Sequence, residues 1–366
     1  MEDKHKILEL LNRKRNVLLM GAPGTGKSKV MNDVARAFED GGSKLKQPSH
    51  VHGASIPIPA IAMPNGLELP MLQKKNRKVF RTTLHQNSKY RDFLTGIVPE
   101  FGSVGGYKIN EGILYRANEF AKQADSAALL IIDELNRGPA IEVFGGSIVA
   151  IENDKRLGED NSVLPTTQFF EIIDPVSGGM IEYAFSPNLY ILSAMNQADA
   201  SVAPLDVAFM RRWQSYKLEP NYEVLYNVFN MIPSSVLPTV FNDASDVYHV
   251  AFRALEKINT LIAIGRGSEY QLGQGVFLST KPKDDSKDAA LQFVLEAWAI
   301  IYSHIEELFF GDGISIGYII NASSPLSPYE LVEVSFAGET KVILKSNSIT
   351  TNNIFDLYYS IAGREQ

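Results

Sequence analysis

Read by its apolar positions alone, the chain changes character near residue 220. Before that point, short apolar runs bounded by glycine and polar turns alternate with stretches of helical spacing. Residues 3–12 set Ile7, Leu8 and Leu11 on one side of a short amphipathic helix, and "NVLLM" (16–20) is a compact strand. The segment after "GAPGTGKS" keeps a helical period to Phe38. "VFRTTL" reads as a strand, "YRDFLTG" (90–96) opens a helix and "INEGILYRANEFAKQA" (109–124) forms another. "LLIID" (129–133) is a buried strand, and "AIEVFGGSIVAIEN" (140–153) is expected to be helical despite its two glycines. Residues 167–185 predict a hairpin around Gly-Gly, and "LYILSAMN" (189–196) a further buried strand.

This alternation predicts a layered α/β domain on a parallel sheet. Residues 222–310 are mainly helical in pattern, notably 244–264 and 288–310. "YELVEVSF" and "KVILKS" then predict a strand pair, and 353–362 a short helix. The expected organisation is a core over 1–220, a smaller helical domain over 221–311 and a C-terminal extension over 312–366. Within the core, 41–79 reads as a proline- and glycine-rich insertion, with the hairpin at about 165–187.

Composition narrows the function classes. A chain of 366 residues, 45% hydrophobic and 21% charged, can bury a full core in one large or two ordinary domains. A net charge of −7 argues against a surface that grips nucleic acid throughout. It leaves room for a local patch such as "KKNRKVFR" (74–81), read as a solvated turn into a strand, with a nucleic-acid or partner contact as the alternative. The absence of cysteine excludes disulfides and thiolate metal sites and fits a cytoplasmic location. The charged start "MEDKHKILELLNRKRN" does not read as a signal peptide. "LQFVLEAWAIIY" (291–302) is the longest apolar run; it contains Glu296 and is too short to cross a bilayer, so no membrane contact is expected.

The chemistry is concentrated in four places. Gly21-Ala22-Pro23-Gly24-Thr25-Gly26-Lys27-Ser28 satisfies G-x-x-x-x-G-K-[ST] between an apolar strand and a helix. Its glycines let successive backbone N–H groups line a concave anion site, Lys27 reaches the β- and γ-phosphates, and Ser28 offers a hydroxyl to Mg²⁺. Asp133, at the tip of a buried strand, is the expected Mg²⁺ partner, and Glu134 the group that polarises the attacking water. Asn196 ends an otherwise apolar strand, where an amide is costly without a partner; beside the Asp-Glu strand it would orient the water. Arg211 and Arg212, in "LDVAFMRRWQ", follow just beyond. His50 and His52 form an H-x-H in the insertion with no further ligands at useful spacing, and no nuclease arrangement stands out.

In order and wording these stretches resemble the AAA+ superfamily, and within it the McrB-like motor subunits of modification-dependent restriction systems. "GAPGTGKS", "HQNSKYRDFLTGIVP", "LLIIDELNRGPAIEVFGG" and "NLYILSAMNQADASVAPLDVAFMRRW" carry the likeness over roughly 16–220, with a weaker echo in "YQLGQGVF" and in the helix ending "IEELFFGD". The resemblance implies an AAA+ P-loop NTPase core with a parallel sheet, followed by a helical lid domain and a short β-containing extension. It implies hydrolysis of ATP or GTP with Mg²⁺ in a hexameric ring of identical subunits, each nucleotide lying between two of them. Asn136 and Arg137 would then serve catalysis across that boundary, Arg137 facing the neighbouring site, with a salt bridge inside its own subunit as the alternative. One of Arg211 and Arg212 would also complete a neighbour's site.

The implied partner is a McrC-like nuclease or another effector, in defence against foreign DNA. Two departures stand out: Gln197-Ala198-Asp199-Ala200 where relatives commonly have Thr-Ala-Asp-Arg, and Met210-Arg211-Arg212 where a three-arginine run is frequent. With only 15 residues before the first strand, DNA contact is expected through a partner. A MoxR- or dynein-like chaperone that remodels a protein partner is the second expectation.

Overall fold

The computed structural model describes residues 3–41, 69–100, 106–198, 205–278 and 286–364. Most of the 41–79 insertion, with His50 and His52, and the departure at Asp199-Ala200 lie outside the described residues. By internal contacts the chain forms two compact units, Met1–Met20 with Lys27–Lys217, and Gly21–Gly26 with Leu218–Gln366.

In the first unit, α1 (Asp3–Lys14) leads into β1 (Asn16–Gly21), and α2 (Lys27–Asp40) follows the glycine loop. A single turn, α3 (Pro70–Gln73), precedes β2 (Asn76–Thr83). Next come α4 (Tyr90–Phe93), β3 (Thr95–Pro99), β4 (Tyr107–Glu111), α5 (Ile113–Lys122) and β5 (Ser126–Asp133). The remainder is α6 (Ala140–Phe144), the hairpin β6 (Phe170–Ile173) and β7 (Met180–Tyr183), then β8 (Leu189–Asn196), α7 (Val207–Met210) and β9 (Gln214–Leu218).

The main sheet has the order β2-β5-β8-β1-β9. Its β2–β5 and β5–β8 pairs are parallel, in a register that sets Thr83 against Asp133 and Ile132 against Ser193. Burial on both faces explains the unbroken apolar runs of β5 and β8. One face packs Leu130, Ile132 and Ile191 against Leu114, Ala117 and Ala121 of α5 and Val143 and Phe144 of α6. On α2, Phe38 meets Tyr190 of β8 edge-on at 6.1 Å.

Two stretches of helical spacing each divide between two elements. The helix expected over 109–124 is β4 followed by α5, because Gly112 N bonds to Leu94 O at 2.5 Å and closes β3 and β4 into a separate hairpin. The helix expected over 140–153 stops at Phe144 and passes into a 3-10 turn at Gly145–Ser147.

One buried cation organises the end of the sheet opposite the site. Arg156, 1% exposed, donates to Ile151 O at 3.0 Å, Ser186 O at 3.3 Å, Leu189 O, and Asn16 Oδ1 at 2.7 Å. It thereby fastens the starts of β1 and β8, whose other ends carry the chemistry.

The second unit contains α8 (Glu223–Val228), α9 (Ala244–Gly265), α10 (Lys287–Leu308), α11 (Gly313–Ile319), the antiparallel hairpin β10 (Tyr329–Phe336) with β11 (Glu339–Ser346), and α12 (Ile354–Ala362). Residues beyond 312 are not set apart from the helices before them. Ile316, Tyr329, Ile354 and Tyr358 share one core with Phe252, Val294 and Trp298. Trp298 Nε1 donates to Tyr329 OH at 3.0 Å, and Tyr358 OH to Val294 O at 2.9 Å. The separate extension expected over 312–366 is therefore part of the helical unit, because its apolar residues fill the same core. Among the described residues no helix is long and apolar enough to cross a membrane.

Candidate nucleotide site

The phosphate loop falls where its pattern predicts, with strand β1 before it and helix α2 starting at Lys27. Gly24 and Gly26 take φ of +76° and +92°, the left-handed region open to glycine at little cost, which accounts for the motif's second glycine, Gly26, and for the glycine at the variable position 24. Thr25 steadies the loop from within, its hydroxyl donating to Ala22 O at 2.9 Å.

At the tip of β5, Asp133 accepts a hydrogen bond from Glu134 N at 3.0 Å through Oδ1. Ser28, Asn32, Arg81, Thr82, Thr83 and Asp133 line a cleft of about 340 Å³ on the α2 face of the sheet. Burial raises the Asp133 carboxyl above the usual aspartate range; its backbone hydrogen bond opposes the shift, the Glu134 charge adds to it and Lys27 offsets it. Burial lowers the Lys27 ammonium, against the pull of Glu134 and Asp133. Lys27 and Asp133 are thus each stripped of part of their hydration, with the Glu134 carboxylate in electrostatic range of both. A partly desolvated carboxylate and a hydroxyl on one cleft are hard oxygen donors, and they fit Mg²⁺.

Glu134 has φ 54° and ψ 51°, a left-handed conformation that costs a non-glycine residue about 1 kcal/mol or more. The chain turns sharply there into a 3-10 turn, Leu135–Arg137, closed by Arg137 N bonding to Glu134 O at 3.0 Å. That turn brings Arg137 Nε to 3.0 Å from Glu134 Oε2. Asn136 points the other way, its Nδ2 donating to Asn196 O at 2.9 Å, while its buried Oδ1 has no hydrogen-bond partner among the described residues. Asn136 therefore couples the tips of β5 and β8. The Asn196 amide accepts from Ala198 N through Oδ1 at 3.4 Å.

The two later arginines are not equivalent. Asp206 caps α7 by accepting from Ala208 N at 2.6 Å and Phe209 N at 3.2 Å. Arg212 turns back into its own unit, with Nε 3.1 Å from Glu152 Oε1 and a further bond to Ala208 O. Arg211 is exposed. Lys27, Asp133, Glu134, Asn136, Arg137 and Asn196 are thus linked by contacts or charge within the first unit, and Arg211 and Arg212 are not shown in contact with them.

Sequence reading missed three contributors. Thr82 and Thr83 border the cleft because β2 lies beside β5, a pairing that spacing does not reveal. Arg156 sits in "NDKRLG", which looks like any polar turn. Gly273-Gln274-Gly275, inside the "YQLGQGVF" echo, packs directly on the phosphate loop.

Comparison with known proteins adds a family. The AAA domain family matches residues 11–144. The EcoKMcrB subunit of the type IV methyl-directed restriction enzyme of Escherichia coli (strain K12) is 30% identical over 219 residues, covering 59% of this chain and 38% of that protein. The component YdiS of the type II restriction enzyme BsuMI, from Bacillus subtilis (strain 168), is 29% identical over 218 residues, covering 56% of this chain and 57% of its own. The chain therefore spans less than two thirds of either relative's length. The solved structure of C. elegans PCH-2 aligns over 83% of this chain and 71% of its own at a TM-score of 0.35 and 12% identity, too loose a likeness to carry any argument. The AAA match spans both the phosphate loop and the Asp133-Glu134 tip, and both sequence relatives are restriction-system components; the chain is similar to McrB-like AAA+ proteins.

Proposed function

We propose that the chain hydrolyses ATP or GTP with Mg²⁺ as one subunit of a homo-oligomeric ring, expected to be hexameric, and that this turnover drives a McrC-like nuclease or other effector in restriction or anti-phage defence. The observation that carries the reading is the placing of Ser28 and Asp133 on one cleft, with Lys27 and Glu134 in electrostatic range of Asp133. Phosphoryl transfer asks a protein mainly for positioning and for charge placed where charge develops. In this reading the loop Gly21–Gly26 and Lys27 hold the phosphate oxygens. Ser28 and Asp133 would hold Mg²⁺, which neutralises phosphate charge when bound. Glu134 takes the proton of the attacking water, and Asn196 orients that water.

The arginines complete the site between subunits. An arginine supplied in trans is worth about 10³–10⁵ in rate. Arg211, exposed at the end of α7, is better placed to reach a neighbouring subunit than Arg212, which is occupied by Glu152. Arg137 is assigned the same kind of role, leaving Glu134 when a neighbour's nucleotide arrives. DNA contact is assigned to the partner, and the working location to the cytoplasm.

The test is phosphate release with ATP and with GTP, side by side, over a hundredfold range of protein concentration. Specific activity that rises with concentration supports sites completed between subunits. Activity that is independent of concentration, at a rate typical of a working enzyme, would overturn the shared-site reading.

A further inference from the structure

The phosphate loop is usually treated as a motif that shapes itself. Here its outer side is held by residues almost 250 positions downstream, in the unit to which Gly21–Gly26 belongs. Gly273 N donates to Pro23 O at 2.7 Å, and Gly275 N to Gly24 O at 2.9 Å. Between them the Gln274 side chain donates from Nε2 to Thr25 O at 3.1 Å. Three successive carbonyls of the loop therefore point at one short clip.

The geometry of the peptide unit makes this consequential. In a trans peptide the C=O of one residue and the N–H of the next point in opposite directions. Carbonyls of Pro23, Gly24 and Thr25 drawn toward the clip turn the N–H groups of Gly24, Thr25 and Gly26 away from it. Thr25 N fits this, reaching only a long 3.4 Å bond to Ala22 O inside the loop. Successive N–H groups turned to one side make the concave anion site that a triphosphate needs.

We propose that Gln274 is a positioning residue for the nucleotide phosphates, the side chain that, with the backbone of Gly273 and Gly275, holds the phosphate-loop carbonyls outward. This deepens the proposed function and rests on it. Gln274 is 7% exposed and both ends of its amide are engaged, with Oε1 accepting from Asn221 N at 3.0 Å. Only a side chain with a donor and an acceptor can satisfy both partners, and only one orientation of the amide does so. The flanking glycines are part of the device. A Cβ on Gly273 would lie 2.1 Å from the Gly24 carbonyl carbon, and one on Gly275 2.9 Å from Gly24 O. Glutamate at 274 would instead aim an acceptor at Thr25 O.

The experiment is steady-state hydrolysis by the full chain at 20 °C with ATP and with GTP, comparing Gln274→Met, Gln274→Glu and the wild type. Circular dichroism melts establish that each variant is folded at that temperature. Gln274→Asn, which keeps the amide but withdraws it by one methylene, is the gentler second variant. The expected result is a KM for the preferred nucleotide raised about tenfold or more, with kcat within about threefold, because loss of a buried hydrogen bond loosens the phosphate cradle rather than the chemistry. A folded variant with wild-type KM, or one that loses kcat alone, would overturn the proposal. Lys27→Ala separates the two readings. If the wild type itself neither binds nor hydrolyses nucleotide, the proposed function fails. If the wild type turns over, Lys27→Ala does not, and the Gln274 variants match the wild type, only the positioning role fails.

Discussion

Arg137→Ala discriminates sharply because the two roles open to Arg137 differ by orders of magnitude. Its visible partner is Glu134, at 3.0 Å, with side chains 48% and 36% exposed. An ion pair that open to solvent is worth about 0–1 kcal/mol, since water screens the attraction and two long side chains must be ordered to make it. Release of that pair alone can change turnover by no more than about fivefold, the factor that corresponds to 1 kcal/mol. A cation acting on a neighbour's transition state is worth about 10³–10⁵, or about 4–7 kcal/mol of barrier. The expectation is a loss of at least about 10³ in kcat with nucleotide Kd unchanged and the melting temperature within about 2 °C of wild type. Stopped-flow phosphate release and a fluorescent-nucleotide titration measure the two quantities. Mixing Arg137→Ala with Glu134→Gln should restore part of the activity, because one interface in the mixed ring then has an intact glutamate facing an intact arginine. A loss below about tenfold, or no recovery on mixing, would refute the trans role and leave Arg137 a partner of its own glutamate.

Glu134→Gln keeps the left-handed turn and the side-chain volume but removes the base, so turnover should fall by about 10² or more while triphosphate remains bound, checked by single-turnover hydrolysis beside a binding titration. Asp133 should show the stability cost of a functional carboxylate. Its folded pKa is raised, so the stabilising contribution is present at low pH and lost as pH rises through that pKa, where the buried carboxylate ionises. Asp133→Asn should therefore melt higher than wild type at pH 7 without nucleotide, with the gap closing toward acid, while hydrolysis is lost; a lower melt at pH 7 would contradict the assignment. Arg156→Met removes four buried hydrogen bonds, of whose acceptors Ile151 O keeps the Asn16 amide as a donor, and should cost about 3–5 kcal/mol, roughly 6–20 °C in melting temperature. Burial and nearby Arg15 push this guanidinium down to about 9, so it is still charged at neutral pH, and a fall of less than about 3 °C would show that its bonds do not hold the strand starts.

What the chain reveals by itself and what it conceals follow from the range of the interactions involved. The phosphate loop, the Asp133-Glu134 tip and the strand ending at Asn196 are written in consecutive residues, because a tight glycine turn and a buried strand end are local demands on backbone and polarity. The apolar runs of β5 and β8 declared themselves for the same reason, since strands covered on both faces tolerate no polar alternation. Where two elements meet inside one apolar stretch, as at β4 and α5, periodicity merged them and only the long-range bond from Gly112 to Leu94 separates strand from helix. The Asn136–Asn196 bond, the Thr83–Asp133 neighbourhood and the Arg156 hub each join residues 50 or more apart. The Gly273-Gln274-Gly275 clip lies further still from the loop it holds. A short segment can encode which way its own peptides are able to turn, but the direction they take is decided by the distant groups that satisfy the carbonyls left outside, and those come together only when the whole chain has packed.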